Sequence, residues 1–163
     1  MMHIEDIPVW LATFVTRWHS GRCAPWLART NDTIGGHSGR MATLALHFWG
    51  DGASRDLLAA CIKHDLGEYS VADVPYTAKT DPDLRSALDR LEAAALARVG
   101  MSYDLSVDDA DRLKFLDRLD AYLWARHHAP QIIGWQEWRD DLKKLRDLAE
   151  KVGVDLSCCG EAL

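Results

Sequence analysis

Apolar residues recur at intervals of three and four along most of this chain, which is the spacing of an amphipathic α-helix. The pattern predicts six helices, separated by loops that contain Gly, Pro, Asn and Asp. The predicted helices span residues 4–19, 37–49, 55–69, 83–100, 106–128 and 135–152. No segment shows the polar and apolar alternation of a strand, so the predicted fold class is all-α, a compact helical bundle.

Composition limits the partners that such a bundle would bind. The 163 residues are 48% hydrophobic and 27% charged, which is typical of a folded globular chain of one domain, 1–163, with a flexible tail over 154–163. The formal net charge of -6 argues against binding to duplex nucleic acid or to a membrane. The four cysteines follow no disulfide or zinc-site spacing, and the sequence shows neither a signal-peptide pattern nor a long apolar run. We therefore expect a cytoplasmic protein with reduced thiols.

Ionisable residues occupy positions where the helical periodicity calls for apolar ones. His37 begins the stripe of the second predicted helix, His64 and Asp65 continue that of the third, and Asp117 lies on that of the fifth. Burying carboxylates is costly unless a cation compensates them, and two imidazoles with two carboxylates can together satisfy one divalent metal ion. The four residues thus predict a metal site.

The donor set limits the metal only loosely. Two nitrogens and two oxygens suit a borderline transition ion, and Zn, Mn, Co, Fe and Ni all fit. Four protein ligands would leave positions for water or substrate.

Each predicted ligand also has an ordinary interpretation. A single histidine on an apolar face is usually a hydrogen-bonded core residue, and Asp117 could pair with Lys114 or Arg118. The remaining histidines of the helices, His47, His127 and His128, are interpreted as surface or core residues.

The order of these motifs resembles a known superfamily. His37, the His-Asp pair at 64 and 65, and Asp117 within FLDRLDAYLWA resemble the HD-domain metal-dependent phosphohydrolases. The segment HDLGEYSVADVPYTAK is similar to the branch that contains bacterial 5'-deoxynucleotidases and small phage dATP triphosphohydrolases. The resemblance covers residues 22–125 and implies an HD-type helical bundle. It favours Asp117 as the ligand, with Asp120 as a supporting group one turn later.

The same resemblance implies roles for further residues. Glu68 would act as catalytic base or acid, and Asp73, before Pro75, would bind the sugar or orient water. Phosphate would be held by basic residues of the motif and of the preceding loop: Lys79, Arg22 and, as the alternative upstream arginine, Arg29. Each of these residues could instead be an ordinary surface or capping group.

This chain departs from the family pattern in the loop before His37. Gly36 stands where the family has an acidic residue, and Cys23 stands where an aromatic residue follows the upstream arginine. Trp26 would then contact the base or sugar. Both departures affect the expected nucleotide preference and leave the predicted ligands unchanged.

The function that the resemblance implies is hydrolysis of deoxynucleotides at the 5' position. Either dNMP would yield deoxynucleoside and phosphate, or dNTP would yield deoxynucleoside and triphosphate. Two alternatives stay open: a non-catalytic HD-type module that binds a nucleotide or a partner, and a helical interaction module whose tryptophans line an interface. A homo-oligomer is also expected by analogy with the family.

Overall fold

The computed structural model describes residues 30–72, 74 and 78–157. This part of the chain contains five α-helices and no strand, so the prediction of an all-α fold is confirmed. The helices are α1 (Ile34–Trp49), α2 (Arg55–Lys63), α3 (Pro82–Arg98), α4 (Val107–His128) and α5 (Gln136–Val152). The predicted helix over 4–19 and most of the predicted tail lie outside the described residues. No helix in the described part is long and apolar enough to cross a membrane.

Side-chain caps explain why α3 and α4 begin where the sequence predicts. The carboxylate of Asp81 accepts hydrogen bonds from the N–H groups of Asp83 and Leu84, and the Ser106 hydroxyl accepts one from Asp109. These bonds satisfy amide groups that have no partner within the helix. Gly153 ends α5 with φ at 71°, a conformation that glycine adopts without strain.

The first described helix begins earlier than predicted. The Gly-Gly pair before His37 was interpreted as loop, yet α1 starts at Ile34 and includes both glycines. Thr33 accounts for the difference, because its hydroxyl accepts the Gly36 N–H at 3.0 Å and its carbonyl accepts the His37 N–H at 2.9 Å. A side-chain cap thus offsets the low helix propensity of two glycines.

The His-Asp pair lies where one helix type gives way to another. The prediction of a continuous α-helix over 55–69 is wrong: α2 ends at Lys63, and His64–Ser70 forms a 3-10 helix. A 3-10 turn at the C-terminal end of an α-helix is common, but seven residues is long for this tighter helix. The change of pitch alters which side chains share a face.

The chain divides into two compact units. Among the described residues, the first unit contains 30–39 and 62–102, and the second contains 40–61 and 103–157. In the first unit, Ile34, Leu66 and Leu96 form a buried cluster. In the second unit, α4 packs on α5, and the fully buried side chains include Phe115 and Leu145.

Candidate metal centre

Three of the predicted ligands, all in the first unit, come together in the structure. The Nε2 atoms of His37 and His64 are 3.2 Å apart. Asp65 approaches both: Oδ1 is 3.2 Å from His64 Nε2, and Oδ2 is 3.6 Å from His37 Nε2. Ligand atoms of these three residues all lie within 4.8 Å of one another, and within the described residues they are the one group of this kind.

These separations are those of ligands that share an ion. Metal–ligand bonds of about 2.0–2.2 Å place neighbouring ligand atoms about 3.0–3.6 Å apart. Two imidazole nitrogens 3.2 Å apart are satisfied either by a hydrogen bond, with the hydrogen on one ring, or by a cation bound between them. The group could therefore hold a metal ion, and two nitrogens with one carboxylate suit a borderline divalent ion.

The three residues differ in their access to solvent. The side chain of His37 is fully buried, whereas those of His64 and Asp65 are 11% and 16% exposed. An ion held here would thus have protein on the His37 side and an approach for small molecules on the other. That arrangement is typical of sites that keep open coordination positions.

Local structure explains how each ligand reaches the group. His37 lies in the first turn of α1, which is set by the Thr33 cap, and Ile34 one turn earlier packs on Leu66. Leu66 directly follows Asp65 in the 3-10 helix. One buried cluster thereby fixes both the start of α1 and the His-Asp pair.

The 3-10 geometry changes the expected position of Glu68. An α-helix would place Glu68 on the face of His64, four residues earlier. With 3.0 residues per turn, Glu68 instead lies above Asp65, three residues earlier. The predicted continuous α-helix over 55–69 would have put His64 and Glu68 on one face, and this consequence of that prediction is wrong.

Glu68 and Lys79 are brought into direct contact. The Lys79 ammonium donates a hydrogen bond of 3.0 Å to Glu68 Oε1. Glu68 is buried, with a side chain 3% exposed, and Lys79 is 24% exposed. Sequence reasoning gave these residues separate tasks, because no spacing rule connects positions eleven residues apart across a loop.

Glycine at position 67 permits an unusually close packing of the same segment. A Cβ atom added there would lie 2.8 Å from the carbonyl oxygen and 2.9 Å from the Cβ of Glu92 on α3. Tyr69 strengthens this packing by donating a hydrogen bond of 3.4 Å to the Ala95 carbonyl oxygen. The 3-10 helix is thus held against the backbone of α3.

The second unit contains the two candidate aspartates of α4. Asp117 is exposed, so the expectation that it lies on the buried face of α4 is not met. Its role as a metal ligand stays a prediction. Asp120 is buried and accepts two hydrogen bonds from Arg40, at 2.6 and 2.8 Å. Arg118, an alternative partner for Asp117, is instead paired with Asp141.

Sequence reasoning missed Arg40. Its guanidinium carbon lies 4.2 Å from the ring centre of Trp124, so the side chain is held by both a carboxylate and an aromatic ring. The available signal was an arginine one turn after His37 on the same helix, together with a carboxylate on the apolar face of α4.

The remaining predicted contacts lie outside the described residues: Arg22, Trp26, Arg29, Asp73 and Pro75.

The three histidines that were given no ligand role, His47, His127 and His128, are exposed, and each contacts a neighbouring aromatic ring.

Comparison of this chain with models of protein families, with curated proteins and with solved structures gave no match. The case for a function therefore depends on the geometry of this group and on the sequence motifs.

Proposed function

We propose that this protein is a divalent-metal-dependent phosphohydrolase that acts at the 5' phosphate of deoxynucleotides. The observation that carries the proposal is the convergence of His37, His64 and Asp65 at ligand-to-ligand distances of 3.2–3.6 Å. Asp117 is proposed as a fourth ligand on the sequence resemblance alone. Without the resemblance, the same group would support a metal site of no defined activity.

A bound divalent cation would supply Lewis-acid activation of water and of phosphoryl oxygens. The surrounding residues would then position and protonate the reactants. Glu68 lies three residues after Asp65 on the same face of the 3-10 helix, which suits a carboxylate that takes a proton from the attacking water. It would later return that proton to the departing nucleoside oxygen.

Lys79 would hold the phosphate. Its ammonium donates a hydrogen bond to Glu68 Oε1 and its side chain is 24% exposed, so phosphate could approach it from solvent. There it would contact phosphoryl oxygens as these gain charge in the transition state. Arg22 or Arg29 would add a second cation, Trp26 would contact the base or sugar, and Asp73 would orient the sugar or water.

The test is turnover by the purified protein, with Co, Mn or Zn added, on dNMPs, dNTPs and their ribose counterparts. Chromatography would separate phosphate from triphosphate. Phosphate released from dNMPs would support a nucleotidase, and triphosphate released from a dNTP would support a triphosphohydrolase. Bound metal without any product would contradict the proposal and favour a non-catalytic binding module.

Two variants separate metal binding from chemistry. Asp117→Ala is expected to lose both metal content and turnover, whereas Glu68→Gln is expected to keep the metal and lose turnover by about 100-fold or more, which is typical for removal of a general base. Metal content is measured by elemental analysis after dialysis. A fully active Asp117→Ala variant would show that Asp117 is no ligand.

A further inference from the structure

The structure places a glycine at the point where the 3-10 helix that carries His64, Asp65 and Glu68 meets α3. The three nearest atoms to an added Cβ at Gly67 all belong to Glu92: its carbonyl oxygen at 2.8 Å, its Cβ at 2.9 Å and its carbonyl carbon at 3.0 Å. Two of these are backbone atoms within an α-helix, so they cannot move aside as the end of a flexible side chain can. Any larger residue would have to push the 3-10 helix away from α3.

The same packing connects the 3-10 helix to the start of α1. Leu66, beside Gly67, shares a buried cluster with Leu96 of α3 and with Ile34, one turn before His37. The helix α3 is therefore a common support for the start of α1 and for the His-Asp pair. Moving the 3-10 helix off this support would separate His64 and Asp65 from His37.

We propose that Gly67 is a positioning residue of the metal centre: its lack of a side chain lets segment 64–70 pack on α3 closely enough to bring His64 and Asp65 to His37. The inference rests on the proposed metal centre and adds a determinant of its geometry. Gly67 touches neither metal nor substrate and acts only through the ligands beside it.

The size of the effect follows from two lengths. The contact with Glu92 must lengthen from 2.8–3.0 Å towards the ordinary separation of about 3.5 Å. Metal sites tolerate deviations of about 0.2 Å in ligand distance. The required shift exceeds this tolerance, so Gly67→Ala is expected to weaken metal binding by about 10–100-fold, as changes in groups that orient ligands do.

The chain offers a matched control at Gly39, two residues after His37 on α1. An added Cβ there meets no atom within 4 Å. Gly39→Ala is expected to keep full metal affinity and to raise the thermal unfolding temperature slightly, because alanine favours the helix more than glycine does.

The experiment is titration of the full chain with cobalt(II) against a competing chelator, with the visible absorption spectrum of the bound ion recorded for each variant. We expect Gly67→Ala to bind cobalt about 10–100-fold more weakly, with an altered absorption spectrum. Gly39→Ala should match the unmodified protein in both affinity and spectrum. A purely structural glycine would lower the stability of the metal-free chain and leave the affinity and spectrum of the folded protein unchanged. That result would overturn the proposal.

A second pair of variants covers the case in which Gly67→Ala does not fold. Leu96→Ala loosens the support beneath the 3-10 helix without a steric push, and Leu145→Ala removes an equivalent fully buried leucine from the second unit. We expect weaker cobalt binding for Leu96→Ala only. Equal affinities for the two variants would overturn the proposal.

A different result would show that the metal centre itself does not exist. If the unmodified protein bound no cobalt, the proposed function and the role of Gly67 would both be refuted. If it bound cobalt and Gly67→Ala bound it equally well, the role of Gly67 alone would be refuted.

Discussion

Two groups of ionisable side chains, one in each unit, differ in how their charge is balanced. In the second unit, Asp120 is 3% exposed and receives two hydrogen bonds from Arg40, so its charge is compensated within the protein. In the first unit, His37, His64 and Asp65 gather two imidazole nitrogens and a carboxylate within 3.6 Å of one another. The first arrangement is a closed ion pair, and the second is a set of electron donors suited to a cation.

The comparison shows why burial of a polar residue does not by itself identify a site. His37 and Arg40 lie one turn apart on α1, and both have partners on other elements. Arg40 brings its own positive charge to Asp120, whereas the group at His37 consists of groups that donate electron pairs. The chemistry of the partners, rather than the degree of burial, separates a structural pair from a candidate metal centre.

The largest expected effect comes from removing the anionic donor. Asp65→Asn is expected to weaken metal binding by more than about 100-fold, because even changes to groups that only orient ligands cost about 10–100-fold. Metal at a concentration of about 100 times Kd should stabilise the unmodified protein by about 2.7 kcal/mol and should not stabilise this variant.

Thermal unfolding with and without cobalt measures this difference. Asp56→Asn, at an exposed position on α2, is the control and should retain the stabilisation. Retained stabilisation in Asp65→Asn would show that the group in the first unit is no metal centre.

A smaller effect is expected from breaking the closed pair of the second unit. Arg40→Ala leaves the carboxylate of Asp120 buried without its cation, which should lower the free energy of unfolding by about 2–3 kcal/mol, less than for a fully buried pair because Arg40 is partly exposed. The measurement is urea denaturation of the metal-free protein.

The matched control replaces both members of that pair. Arg40→Met combined with Asp120→Leu should recover most of the lost stability, because neither charge is then buried. If Arg40→Ala were as stable as the unmodified protein, the pair would not be the stabilising contact that its two hydrogen bonds indicate.

The smallest effect concerns a third buried group, the Cys61 thiol, which is kept neutral. Burial raises the pKa of this thiol from 9.0 to about 12, and a backbone hydrogen bond opposes the shift only in part. The thiol ionises more readily in the unfolded chain, so ionisation favours unfolding. The free energy of unfolding is therefore unaffected by this thiol below pH 9 and falls as the pH rises from 9 towards 12.

Comparison with Cys61→Ala isolates this contribution from the other groups that titrate at high pH. The stability difference between the two proteins should shrink by about 1.4 kcal/mol at pH 10, one unit above the unfolded pKa. A difference that stays constant between pH 8 and pH 10 would contradict the raised pKa.

Most helix boundaries could be predicted because they depend on neighbouring residues. Asp81 and Ser106 cap α3 and α4 through bonds to amides two or three residues away, and Gly153 ends α5 in a left-handed conformation. The start of α1 was missed although the responsible Thr33 is also local. There the Gly, Asn and Asp content of the segment predicts a loop, whereas the Thr33 cap begins the helix before the two glycines.

The face of α4 was predicted less well. The expected stripe included Leu116, Asp117 and Asp120. Leu116 and Asp120 are buried as expected, whereas Asp117 is exposed and Leu119 is buried instead. A mixed helix supports more than one apolar stripe, and packing against other elements selects among them. The sequence of the helix does not show which of its faces other elements will cover.

The helical fold class and the kinds of electron-donating side chain can be inferred from the amino-acid order, because helical periodicity and residue chemistry are properties of short stretches of chain. Which of these side chains come together depends on how the helices pack. In the folded chain His64–Ser70 forms a 3-10 helix, Lys79 donates a hydrogen bond to Glu68, and Arg40 pairs with Asp120. These outcomes depend on contacts between residues distant in sequence, and close approaches such as that of Gly67 to Glu92 exist only in the packed chain.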